Sequence, residues 1–199
     1  MSGCQGEEKE TDSGMSDYLL KRTLSDASPT GNINYFVLPE SDDLNSIPQD
    51  PNNPLTDDKV ALGKLLFHET GLGIHPENES SWKTFSCATC HHARAGFQAG
   101  VVQGLSDGGM GFGFAGEGRI PDPLYAEEEI DVQQIRTPSA LNSAYQVNML
   151  WNGQFGATGM NVGTESQWTA GTPKETNNLG YEGVETQAIA GLGVHRMDI

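Results

Sequence analysis

Large apolar residues are sparse over residues 1–33, where Ser, Gly, Asp and Glu dominate. That composition predicts a disordered acidic tether. Order is expected from Asn34-Tyr35-Phe36-Val37-Leu38-Pro39, and Pro48, Pro51 and Pro54 mark an irregular approach to a helix. Thr56 is placed to cap that helix, with Asp57 and Asp58 at its positive end. Leu62, Leu65, Leu66 and Phe67 give it one apolar face, and Gly71 is placed to stop it after Glu69. Between Gly96 and Gly118 glycine is too dense for a stable helix. No strand precedes this stretch and no G-K-[ST] follows, so it is not a phosphate loop. Asp122, Glu127, Glu128, Glu129 and Asp131 then read as a solvated acidic surface. Thr137-Pro138-Ser139-Ala140-Leu141-Asn142 predicts a short helix capped by Thr137, with proline in its first turn. Residues 153–182 return to loop, and a last helix is predicted from about Val184 through Gln187, Ala188 and Ile189.

Composition narrows the class. The chain has 199 residues, 36% of them hydrophobic, and 25 are glycine. A loop-rich fold wrapped round a large apolar cofactor suits that mix. The net charge of -16 argues against nucleic acid and against an anionic membrane surface, and favours a basic partner. No transmembrane stretch is present. Cys4 follows Ser2-Gly3 and precedes a polar, acidic run, which looks like the end of a bacterial lipoprotein signal without its hydrophobic region. Lipidation of Cys4 and a stray thiol in a flexible tail both remain open.

The chemistry concentrates in Cys87-Ala88-Thr89-Cys90-His91, a C-x-x-C-H stretch with the spacing of c-type haem attachment. Two thiols at this spacing reach one edge of a porphyrin, and the histidine that follows binds iron from the proximal side. A redox dithiol and a zinc site are the alternatives. No βαβ pattern supports the first, and His68 and His75 are poorly placed for the second. His92 reads as a neighbour at the haem edge.

Separated stretches then agree with one family. Leu62-Gly63-Lys64-Leu65-Leu66-Phe67, Ser86 through His91, Gly96-Phe97, Arg136-Thr137-Pro138-Ser139 through Asn142, Leu150-Trp151-Asn152-Gly153 and Glu185-Thr186-Gln187-Ala188 resemble, in order, the bacterial di-haem cytochrome c peroxidases and their MauG-like relatives. The resemblance implies a mainly α, cytochrome-c-like haem domain with long Gly-rich loops over residues 34–182. It also implies that 183–199 begin a second domain, whose haem relays electrons and is absent from this chain. Hydrogen peroxide would be reduced at the haem of His91, with electrons from a small cytochrome or cupredoxin-type donor protein. The implied setting is the periplasm, and a homodimer is compatible with it. A mono-haem electron carrier and a MauG-like protein oxidase are the competing functions.

The resemblance places an inter-haem tryptophan at Trp151 and a distal glutamine at Gln187. The acidic residue expected about ten positions after Gln187 is replaced by the sequence His195-Arg196-Met197. We therefore expect His195 as general base and Arg196 as electrostatic stabiliser. No histidine lies between His92 and His195 to block the iron, so the distal side is open or Met110 fills it; the open site is favoured. An inter-domain calcium is a possibility of the family, but Arg136 stands at the expected ligand position and calcium is not predicted from this stretch.

Overall fold

The computed structural model describes residues 13–113 and 115–199, which fall into two compact units, one ending at Ser46 and the other spanning Ile47–Ile199. Cys4 and its lipidation lie outside the described residues. In the first unit, Ser13–Ala27 form an α-helix, α1, which corrects the expectation of disorder for that part of the tether. The polar bias misled because Tyr18, Leu19, Leu20 and Leu24 sit among good helix formers. A 3-10 turn over Ile33–Phe36 follows, capped by the side chain of Asn32.

The second unit holds two α-helices among many single 3-10 turns. Helix α2, Asp57–His68, starts where expected: Thr56 accepts a hydrogen bond from the Lys59 amide, and Glu69 closes the other end. Its expected apolar face is not buried, however. Leu62 and Leu65 are 55% and 69% exposed, and only Leu66 reaches the core cluster. Helix α3, Gly183–Val194, packs on the 3-10 segment Pro173–Leu179. A two-residue antiparallel pair, β1 (Gly109–Met110) with β2 (Ile120–Pro121), is the one sheet among the described residues. No described helix is long and apolar enough to cross a membrane.

The helix expected over 137–142 does not form. The strand-like segment is used for long-range pairing instead: Arg136 Nε donates to Ala99 O, the Ala99 amide to Thr137 O, and the Ala140 amide to Phe97 O. Ser139 Oγ adds a bond to Gly96 O. These contacts satisfy backbone groups that a one-turn helix would leave open.

The aliphatic and aromatic core is small. Phe85 is fully buried and packs with Leu72 and Met197, against which Leu66, Cys87 and Leu192 lean. Met197 carries the chain terminus into that cluster, and the Asp198 amide donates to Leu72 O. Residues 183–199, expected to open a further domain, are thus packed within the same unit as 47–182.

Polar anchors supplement so thin a core. The fully buried Asp107 carboxylate accepts from the Glu77 amide at 3.0 Å, from the Tyr125 hydroxyl and from Arg196 Nη1. Arg119 sends its guanidinium to three carbonyls, of Leu105, Ser106 and Gly111, and so fixes the glycine-dense loop on itself.

Removing the cation from this buried site should be felt. Breaking a fully buried ion pair costs about 3–5 kcal/mol, and the partial exposure of Arg196 lowers that. Arg196→Met is expected to destabilise the chain by about 2 kcal/mol in urea unfolding. Phe85→Ala, which empties the centre of the cluster, is expected to destabilise by about 3–5 kcal/mol. An unchanged urea midpoint for either variant would contradict its assigned role.

Candidate functional site

Ser86 precedes the C-x-x-C-H stretch in extended conformation, and its amide donates to Thr89 Oγ1 at 2.9 Å. Cys87–Thr89 form a single 3-10 turn that packs against α2. That turn sets Cys87 half-buried, Cys90 buried and His91 half-buried beyond them. Gly104 backs onto Cys90, so closely that a Cβ there would lie 2.7 Å from the sulfur.

His91 is held from behind. Its Nδ1 lies 2.9 Å from Phe97 O. A carbonyl only accepts, so Nδ1 carries the proton and Nε2 the lone pair. That is the tautomer a metal-binding imidazole needs. Burial lowers the pKa of His91, the carbonyls of Phe97 and Pro138 oppose this, and the nearby His195 lowers it further. The ring is therefore neutral near pH 7. Phe67 of α2 stands 6.3 Å from the His91 ring and 5.9 Å from that of Phe97.

The two thiols are reduced and unpaired with each other. Burial pushes the Cys90 thiol up to about 12, and the charge of Asp131 adds to the rise. Burial also raises Cys87. A redox dithiol needs a depressed pKa at its attacking sulfur, so this arrangement does not favour that alternative. Nor does any group of three or more His, Cys, Asp or Glu stand together as a metal site among the described residues.

The other predicted residues scatter, with one grouping that matters. His92 is half-buried beneath the glycine-dense loop, where Gly116 backs directly onto its ring, and is not at a free edge. Met110 is half-exposed in β1, paired with Ile120. Trp151 is fully exposed, in a turn that follows Leu150 at φ +67. Gln187 sits in α3 with its Oε1 buried and lacking a hydrogen-bond partner among the described residues. One turn on is Gly191, where a Cβ would meet nothing within 4 Å, and one turn further is His195 at the helix cap.

Arg196 is held by the fold. Its guanidinium reaches Asp107, Glu129 O at 2.7 Å and Glu77 at 3.4 Å, so its charge is engaged by the fold. His195 instead meets Asp131: Nδ1 lies 2.8 Å from Oδ2, with Gln133 Nε2 a looser 3.4 Å away. Asp131 was expected in a solvated acidic surface, yet its side chain is only 16% exposed and receives the hydroxyl of Ser106. Burial raises the Asp131 pKa, but bonds from His195 and Ser106 and the charge of Arg196 outweigh it and hold the carboxyl below its usual range. The partners lie 25 and 64 positions away, and no local pattern announces them.

The residues present fit a covalent haem. Two neutral thiols lead into a neutral imidazole with a free lone pair, and α2 offers an apolar flank beside it. Gln187 Oε1 is a further buried polar atom without a hydrogen-bond partner among the described residues.

A model of the di-haem cytochrome c peroxidase family matches residues 57–192, and the chain belongs to that family. Over 109 residues it is 33% identical to the methylamine utilization protein MauG of Methylorubrum extorquens, covering 55% of this chain and 23% of that protein. MauG of Methylophilus methylotrophus is 34% identical over 109 residues, 24% of its length. The matched stretch thus spans about a quarter of these curated relatives. No solved structure matches the chain.

The thiol shifts give a pH test on the haem-free chain. Cys90 rises from 9.0 to about 12 on folding. A raised folded pKa contributes stability that is complete below the unfolded value and disappears as pH climbs through the folded one. Stability of the haem-free chain should therefore fall between about pH 9 and 12, and Cys90→Ala should flatten that slope. Alkylation of Cys90 should be slow at pH 8; rapid alkylation in the folded chain would contradict the burial argument.

Proposed function

We propose that this chain is the peroxidatic haem portion of a di-haem cytochrome c peroxidase-like enzyme. The observation that carries the reading is the His91 Nδ1 bond to Phe97 O, directly after a half-buried and a buried thiol at haem-attachment spacing. Cys87 and Cys90 would hold haem c through thioethers, and His91 Nε2 would bind its iron. When bound, the haem supplies a site for hydrogen peroxide and one of the two electrons its reduction to water requires. The other comes from a second haem outside this stretch, replenished by a small basic electron-donor protein.

The chain's own residues handle orientation and protons. Gln187 Oε1 is an unused acceptor able to orient a protonated oxygen. His195 Nε2 serves as general base and then as acid towards the leaving oxygen. Arg196 has no part at the peroxide in this reading: its charge is neutralised by Asp107. Met110, half-exposed and paired with Ile120 in β1, is not assigned as an iron ligand in this reading. Trp151, fully exposed, is the exit for oxidising equivalents. The setting is the bacterial periplasm, with Cys4 as the point of lipid attachment.

A second reading is oxidation of a protein side chain, as in a MauG-like enzyme. The names of the similar proteins and the exposure of Trp151 favour it.

The test is expression with haem-maturation machinery in a periplasm. We expect covalent haem with a high-spin ferric spectrum that changes on adding peroxide, and His91→Ala should abolish that spectrum. Supplied with reductant, the complete enzyme should consume peroxide and oxidise a donor protein stoichiometrically. Absence of covalent haem, or a low-spin Met–His spectrum, would refute the peroxidase reading. Peroxide consumption with modification of a partner protein would select the second.

A further inference from the structure

The fold aligns three groups that are far apart in the chain. Ser106 Oγ donates to Asp131 Oδ2, and the same oxygen faces His195 Nδ1 at 2.8 Å. Asp131 and His195 are each also held through their backbone. Asp131 is fixed through its backbone, its amide donating to Asp107 O at 2.9 Å and its carbonyl accepting from the Ser106 amide at 3.0 Å. His195 is fixed as the cap of α3 by its amide bond to Gly191 O at 3.0 Å. The side chains of His195 and Asp131 are 29% and 16% exposed, so water competes weakly for their bond.

An ionised carboxylate is acceptor-only. The Nδ1 of His195 must then be the donor, and the lone pair is left on Nε2. Gln133 Nε2 at 3.4 Å is too long to reverse that assignment, and its amide turns easily to present oxygen. Gln133 also ties this group to the haem-attachment turn: its amide donates to Gly104 O, and Gly104 lies against Cys90. The base is thereby placed beside the cofactor end of the unit.

We propose that Asp131 is the positioning residue for His195: it fixes the imidazole tautomer with the Nε2 lone pair free, and Ser106 holds Asp131 in place. The proposal rests on the reading of His195 as general base. The free Nε2 would take the proton of a protic ligand at that site; the resulting imidazolium would be stabilised by the Asp131 carboxylate, with no electron moved.

Hydrogen cyanide tests it, because HCN must lose its proton as cyanide binds ferric haem, whereas carbon monoxide binds ferrous haem with no proton transfer. In the haem-loaded full chain, Asp131→Asn should slow HCN association about a hundredfold and leave carbon monoxide association unchanged. Nitrogen NMR of the diamagnetic ferrous carbonyl form should show His195 protonated on Nδ1 in the wild type, and a different or mixed tautomer in Asp131→Asn. An Nε2-protonated His195 in the wild type would overturn the proposal, and that measurement needs no variant to fold. Unchanged HCN association in Asp131→Asn, with His195→Ala slow, would overturn the positioning role alone. Equal HCN association in wild type and His195→Ala would overturn the base reading itself.

Discussion

One carbonyl organises the candidate site. Phe97 O accepts from His91 Nδ1 and also from the Ala140 amide, so a single oxygen joins the imidazole to a distant segment. Gly96 and Phe97 both have left-handed backbone, at φ +70 and +55, and this tight reversal turns the carbonyl back on the imidazole. For a phenylalanine that conformation carries strain, which the surroundings must hold. They do so by pairing 136–140 with 96–99 through four hydrogen bonds of backbone and side chain. The strap forces the reversal, the reversal aims the carbonyl, and the carbonyl sets the tautomer.

The same economy explains why the unit holds together with so few buried apolar residues. Phe85, Leu72 and Met197 form one cluster, and Asp107 forms the other centre, gathering an amide, a phenol and a guanidinium. Both centres are completed by residues 196 and 197, so the end of α3 is bound to the haem-motif turn through Cys87 on one side and to the acidic loop on the other. Whatever fixes this terminus also fixes His195. The apolar cluster, the Asp107 centre and the His195–Asp131 bond therefore meet in three consecutive residues.

Local signals in the sequence were reliable where the structure is local. The cap at Thr56 and the start of α3 depend on neighbours within a few positions, and each lies where its pattern places it. Failures came where distant backbone competes. Thr137-Pro138 is a sound helix start, yet the segment gains more bonds by pairing with 96–99. Asp131 sits in an acidic run that reads as surface, and only the fold brings Ser106 and His195 to it. Arg196 was legible as a cation near the site, but not as one already matched by Asp107, because that carboxylate lies 89 positions earlier.

The His195–Asp131 pair also bears on the carboxylate that the family resemblance expects and this chain lacks. A carboxylate base carries one negative charge at rest and becomes neutral on taking a proton. A neutral imidazole hydrogen-bonded to an ionised aspartate has the same net charge at rest, and reaches the same neutrality as an imidazolium–carboxylate pair. Arg196 does not disturb that balance, since Asp107 offsets it within hydrogen-bonding distance. The change in net charge on taking a proton is therefore the same in either design. What differs is reach: an imidazole extends its lone pair farther from the backbone than a carboxylate does, and it needs a second residue to hold its tautomer. A carboxylate can be replaced by histidine at such a site only where the fold already supplies that second residue, and the backbone-pinned Asp131 supplies it here.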